Sequence, residues 1–160
     1  MSEISPRISE VLERSQVQYT IKHHAECDRP IDSPTDFAAA LGYEVDRITK
    51  SLFTFASNEG RYVMLVCPAS RKVDFTRASK AVGVRRLEIA AKRDLAEILG
   101  YPTTGVSPLG MPSEVSVLMD EGLLEHETIL IGGGEVGIEI EMNPHDVARI
   151  AGARLERIAK

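Results

Sequence analysis

The chain has 160 residues, 43% of them apolar and 27% charged, with a formal net charge of −5. A chain of this length is expected to fold as one domain spanning residues 1–160 and to bury about 70% of the surface its unfolded form exposes. No apolar run approaches the roughly 20 residues of a membrane span, the opening Met1-Ser2-Glu3-Ile4-Ser5 does not resemble a secretory signal, and Cys27 and Cys67 alone make no disulfide framework, so a cytoplasmic protein with no membrane partner is expected.

Three helix starts share one device. Ser5-Pro6, Ser33-Pro34 and Asn143-Pro144 each set a capping side chain before a proline whose fixed φ suits the first helical turn. Asp36 and Asp146 follow in the first turns of the latter two, where negative charge meets the positive end of the helix dipole. The first helix is expected to bury Ile8, Val11, Leu12 and Ser15. A strand over Tyr19–His23 follows from alternation, and the second helix closes at Gly42. Segments 51–56 and 62–67 read as strands joined by the turn Ser57-Asn58-Glu59-Gly60. Helices over 76–82 and 93–99 end at Gly83 and Gly100, with a strand over 84–89 between them. Strands over 115–119, 128–131 and 137–142 precede the last helix, which stops at Gly152. Helices and strands intermix without a regular βαβ beat. The expected class is α+β, a curved mixed sheet or partial barrel of about seven strands with surrounding helices.

Charge is unevenly spread. Between residues 71 and 93 stand Arg71, Lys72, Arg77, Lys80, Arg85, Arg86, Lys92 and Arg93 against only Asp74 and Glu88, a local charge of +6, while the remainder carries −11. Such a window could track a phosphate backbone or simply solvate helix and strand faces. Aromatic content of 5% and the lack of tryptophan argue against a base-stacking platform.

Several motifs carry candidate chemistry. Gly105-Val106-Ser107-Pro108-Leu109-Gly110 is a backbone-rich loop, and Lys50 is a lone cation at the head of a strand. Together they suggest a pocket of main-chain amides and one cation, which suits an ester or acyl group better than a metal or dinucleotide. If the strand reaches back to Lys50, that residue shares a face with Leu52 and Thr54, opposite Phe53 and Phe55. Gly132-Gly133-Gly134-Glu135-Val136-Gly137 matches G-x-G-x-x-G, but Ile138-Glu139-Ile140-Glu141-Met142 alternates as a strand where a dinucleotide site needs a helix. The motif reads as a tight strand-to-strand turn whose amides are free to line a pocket. Ser107 is no elbow nucleophile, because the next residue is Pro108, which has no N–H to offer an oxyanion. His23, His24 and Cys27 cluster without a distant second ligand pair, so no metal site is expected. His126 and His145 read as surface residues.

The combination of Lys50-Ser51-Leu52, the Gly105–Gly110 loop, and Gly133-Gly134 with Gly137 resembles the YbaK/ProX family of aminoacyl-tRNA deacylases. These occur free-standing or as the editing domain inserted in bacterial prolyl-tRNA synthetases. The resemblance runs from residue 8 to residue 152 and includes the helix over 33–42 and the run Lys80-Ala81-Val82-Gly83-Val84-Arg85-Arg86. It implies an enzyme that cleaves the ester of a mischarged tRNA, cysteine leading and alanine next, with tRNA(Pro) the expected carrier. It implies Lys50 as the essential lysine. Gly105, Val106, Ser107, Pro108, Leu109 and Gly110, together with Asp120, Gly132 and Gly133, would bind substrate. Amides near Gly105 and Gly133 would then stabilise the oxyanion, and water or the substrate's own thiol would attack. No cofactor is implied. Arg71, Lys72, Lys80, Arg85 and Arg86 would meet the tRNA acceptor stem. Three departures fall beside the expected pocket: Ala25 where cysteine-clearing relatives carry an aromatic nearby, Gly132 where they have serine, and Glu135-Val136 where theirs are basic. A monomer is expected, engaging prolyl-tRNA synthetase at most transiently. The reading from another class is a non-catalytic module that binds an aminoacyl-adenylate-like ligand or a protein partner.

Overall fold

Local signals place most elements in the computed structural model, which describes residues 3–160. The elements are α1 (Pro6–Ser15), β1 (Tyr19–His23), α2 (Pro34–Leu41), β2 (Thr49–Ala56), β3 (Arg61–Pro68), α3 (Phe75–Val82), β4 (Glu88–Ile89), α4 (Lys92–Asp94, running on as π-helix over Leu95–Leu99), β5 (Val115–Asp120), β6 (Ile129–Gly132), β7 (Ile138–Met142), α5 (Pro144–Ala151) and β8 (Arg154–Glu156). Ser33 caps α2 by accepting from the Asp36 amide, and Asn143 caps α5 by accepting from His145. Gly42 and Gly152 end those helices at φ of 73° and 61°, a region a side chain disfavours. Ser5 departs from expectation, since its side chain caps nothing. Its backbone is held instead, with the amide donating to Gly133 O and the carbonyl accepting from Ile8 and Ser9. Helix α1 buries Ile8 and Leu12, while Val11 and Ser15 are only half-buried.

The strands form two sheets, one ordered β1-β7-β6 and the other β4-β2-β3-β5-β8. The first is antiparallel throughout. In the second, β3 pairs antiparallel with β2 and parallel with β5, which pairs parallel with β8. A parallel bridge between Ile48 and Leu130 joins the sheets, reinforced by the Thr49 hydroxyl donating to Leu130 O at 2.7 Å. The α+β class holds, but among the described residues eight strands, not about seven, lie in two sheets and close no barrel. Two strand expectations change. Segment 84–89 pairs only at Glu88–Ile89, because the Leu87 amide donates to Ser79 Oγ instead of to a strand. Residues 154–156, too short to announce themselves, extend the sheet as β8.

Strand β3 is buried on both faces, which explains its unbroken apolar run Val63-Met64-Leu65-Val66-Cys67. One face packs Met64 and Val66 with Ile129, Ile131, Ile138 and Ile140 between the sheets; the other packs Leu65 and Cys67 with Ala78 under α3. Each such large side chain contributes about 1.5–3 kcal/mol by leaving water. A polar network then pins the start of β2 against β7. Glu141 accepts from Tyr43 Oη (2.8 Å), Arg47 Nη2 (3.1 Å) and Thr128 Oγ1 (2.6 Å), and Arg47 also stacks on the Tyr43 ring. Among the described residues no helix is long and apolar enough to cross a membrane.

Candidate active site

Where β2 begins beside the end of β6, a cleft of about 510 Å³ opens between the start of α2, residues 48–52, the 103–106 loop and the β6–β7 turn. Strand β2 does extend back through Lys50, which pairs with Cys67 across the hairpin. The Lys50 ammonium donates to Arg71 O at 2.5 Å. The segment carrying that carbonyl is itself tethered: Asp46 accepts from Ser70 Oγ at 2.7 Å and pairs with Arg71 Nη2 at 3.4 Å. The Ser70 hydrogen bond, with help from the Arg71 charge, holds the Asp46 carboxyl below its ordinary range. Next to Lys50, Ser51 also borders the cleft, and its Oγ is buried without a hydrogen-bond partner among the described residues. A buried hydroxyl left unpaired is rare and still has a hydrogen bond to give.

The glycine-rich loops meet here, though not in the way their composition suggested. Gly105 and Gly132 are needed because backbones touch: a Cβ on Gly105 would come within 2.7 Å of Glu135 O, and one on Gly132 within 2.0 Å of Val106 O. Of the amides expected near an oxyanion, those of Gly105 and Gly133 themselves are already occupied, Gly105 N by Pro102 O and Gly133 N by Ile138 O, each at 3.0 Å. Of the six G-x-G-x-x-G residues, Gly132 ends β6 and the other five, 133–137, form the turn into the antiparallel strand β7. Of the segment 105–110 only Val106 lines the cleft. Ser107, Pro108 and Leu109 are buried, the Ser107 hydroxyl accepts from the Leu109 amide, and the Tyr101 hydroxyl donates to Leu109 O. Gly110 lies beside Arg7 and Tyr101. These residues shape the loop from behind.

Asp120 is likewise elsewhere. Its Oδ1 accepts from the amides of Ile158 (2.8 Å) and Ala159 (2.9 Å), and Oδ2 from Gly122, so it anchors the final segment to β5. Two carboxylates line the cleft, the exposed Asp32 before α2 and Glu139 on β7, the latter hydrogen-bonded through Oε2 to His24 Nε2 at 2.5 Å. The His24 ring lies 4.5 Å from that of Phe37. Sequence reasoning missed this pair because it grouped His24 with His23 and Cys27 and used Glu139 only as part of an alternating strand. A polar residue facing the strand partner of a glycine was the available signal.

Comparison with known proteins settles the family. Residues 28–150 match the aminoacyl-tRNA editing domain family. The chain belongs to it. The matched span of this editing domain contains Lys50, Ser51, Val106, Gly132 and Glu139. A curated relative from Enterococcus faecalis, provisionally named Cys-tRNA(Pro)/Cys-tRNA(Cys) deacylase EbsC, is 29% identical over 126 residues, covering 79% of this chain and 76% of the relative. A proline–tRNA ligase of Thermosipho melanesiensis is 32% identical over 98 residues, which span 61% of this chain but only 17% of the ligase. Among solved structures, one provisionally described as a trans-editing enzyme for prolyl-tRNA synthetase superposes with a TM-score of 0.81 at 22% identity, covering 99% of both chains. A hypothetical protein of solved structure gives 0.84 at 21%, covering 96% of this chain and 99% of its own. These likenesses show that the editing domain's fold is shared.

The basic window of this editing domain borders a different depression. Lys80, Arg85 and Arg86 line it with Phe75, Leu87 and Ile89, and none of its lining residues is shared with the cleft. Ile89 is 59% exposed there. Arg86 pairs with Glu88 at 3.3 Å and Arg71 with Asp46, while Lys72, Lys80 and Arg85 are exposed.

Proposed function

We propose that this editing domain is a trans-acting aminoacyl-tRNA deacylase. It clears a small non-cognate amino acid, cysteine first and alanine next, from tRNA(Pro). The observation that carries the reading is the cleft itself, bordered by Lys50 and by Ser51 with its buried, unpartnered hydroxyl, in the part of the chain that matches the editing family. An ammonium has no lone pair with which to take a proton, so Lys50 acts as a cation. It leaves Arg71 O to hold the phosphate of the terminal adenosine, and the Ser51 hydroxyl donates to the ester carbonyl oxygen as negative charge develops there. Water attacks the carbonyl carbon, the bond to the ribose oxygen breaks, and that oxygen takes the proton, releasing free amino acid and intact tRNA. With a cysteinyl ester the substrate's own thiol can attack the carbonyl carbon instead; the ribose oxygen again leaves, taking the thiol's proton, and the amino acid departs as a cyclic thioester. Exclusion of proline rests on shape. A single synthetic site separates such similar groups by only about 1–3 kcal/mol per methylene, which is the reason a second hydrolytic site is useful. Lys72, Lys80, Arg85 and Arg86, with Arg71 at their edge, face the acceptor stem. The domain works as a monomer that meets prolyl-tRNA synthetase at most transiently, in the cytoplasm.

The deciding experiment is a deacylation panel with tRNA(Pro) carrying cysteine, alanine, serine, threonine or proline, run with wild type and Lys50→Ala. Loss of one non-cognate amino acid, dependent on Lys50 and sparing proline, is the expected result. Equal turnover in the variant removes Lys50 from the reaction, and no turnover on any substrate favours a binding module.

A further inference from the structure

We infer that Glu139, held in place by His24, is the group that recognises the α-ammonium of the aminoacyl ester. The inference rests on the deacylase reading and names what its cleft selects. An aminoacyl-adenosine end carries two charges, a phosphate and the ammonium beside the scissile ester. The cleft offers one cation, Lys50, for the first. For the second it offers two acids, Asp32 and Glu139. Asp32 stands exposed before α2, where solvent screens it, whereas the Glu139 side chain is only 14% exposed. A cation that leaves water needs a charged and hydrogen-bonding partner, and Glu139 is the better placed.

The surroundings of Glu139 are built for this. In the β6–β7 register it stands opposite Gly132. Facing residues in an antiparallel pair are neighbours on one face, so at Gly132 the place a side chain would take is filled instead by loop backbone. The Val106 carbonyl lies against Gly132 and adds a neutral acceptor, useful to an ammonium with three N–H donors. His24 occupies one carboxylate oxygen, Oε2. Its own position is fixed by its amide on Gly137 O (2.9 Å) and by the Phe37 ring. His24 is therefore a positioning residue, and Oε1 is left for the substrate.

The test compares each aminoacyl-tRNA that wild type clears with the same tRNA acylated by the N-acetyl amino acid, which has no ammonium. Glu139→Gln keeps the hydrogen bond from His24 and loses the charge. It is expected to lower kcat/KM on the free-amine substrate about tenfold or more relative to the N-acetyl substrate, mostly through KM. His24→Ala should lose part of that preference and His24→Gln, whose amide N–H can replace Nε2, should restore it. Binding of 3′-alanylamino-3′-deoxyadenosine and its N-acetyl form, read by calorimetry, supplies the same ratio without hydrolysis. Failure of wild type to deacylate anything overturns the deacylase reading alone. An unchanged free-amine to N-acetyl ratio in Glu139→Gln, in either assay and with an unchanged melting temperature, overturns the inference.

Discussion

Gly132 and Val106 touch through their backbones, so closely that a Cβ on the glycine would stand 2.0 Å from the valine carbonyl oxygen. The cleft depends on that contact, because it locks the 103–106 loop onto the β6–β7 turn. Gly132→Ala must push the two loops apart. The variant is expected to lose about 1–3 kcal/mol of stability, the range for forced overpacking, seen as a lower denaturant midpoint. Deacylation should fall even at temperatures where the circular dichroism of the fold is unchanged.

Glu141 makes stability depend on pH. Burial by itself would raise its carboxyl, but hydrogen bonds from Thr128 and Tyr43 and the charges of Lys22 and Arg47 outweigh that and hold it below its ordinary 4.5. A carboxyl depressed in the folded state binds fewer protons there than in the unfolded chain. Its contribution is therefore complete above about 4.5 and fades as pH falls through the lower folded value. Urea midpoints measured from pH 6 down to pH 3 should drop more steeply for wild type than for Glu141→Gln. At pH 7 the variant should be less stable by about 1–3 kcal/mol, the worth of hydrogen bonds to a charged group.

The two thiols should differ in reactivity. Burial pushes the Cys67 thiol up to about 11, and the nearby Lys50 charge offsets only part of that. Only the thiolate attacks an alkylating agent, so at pH 8 iodoacetamide should modify the half-buried Cys27 and spare Cys67. Mass spectrometry of the native protein should show one adduct, and two in denaturant. Two adducts formed at equal rates in the native state would contradict the packing of β3.

Arg85 and Arg86 provide a readout separate from chemistry. If they contact tRNA phosphates, replacing either by alanine should weaken tRNA binding and reduce the slope of log K against log salt by about one per contact. Single-turnover rates at saturating protein should be unaffected, because the depression they line shares no residue with the cleft. Unchanged slopes would leave the basic window as solvated surface.

Much of the helical framework was legible locally. Ser33, Asn143, Gly42, Gly83, Gly100 and Gly152 act within a few residues of their own positions, and the structure uses each at the helix end where it stands. The alternation of Tyr19–His23 and Ile138–Met142 and the glycine turn before the latter were readable for the same reason. The 105–110 loop drew notice by its own backbone-rich composition, but the essential role of Lys50 came from resemblance to a family, whereas spacing alone left the lysine an ordinary strand-end residue.

Tertiary structure decided the rest. Asp120 and Glu139 are both acids on strands, yet one ties down the C-terminal segment and the other enters the cleft. Ser107, Pro108 and Leu109 sit behind the loop whose rim is Val106. Bridging of the sheets at Ile48 and Leu130 joins residues 82 positions apart, and His24 meets Glu139 across 115. Caps and turns are set by energies between neighbours in the chain. Pairing register and the direction a side chain faces are set by burial of the whole core, which a short window of sequence does not contain.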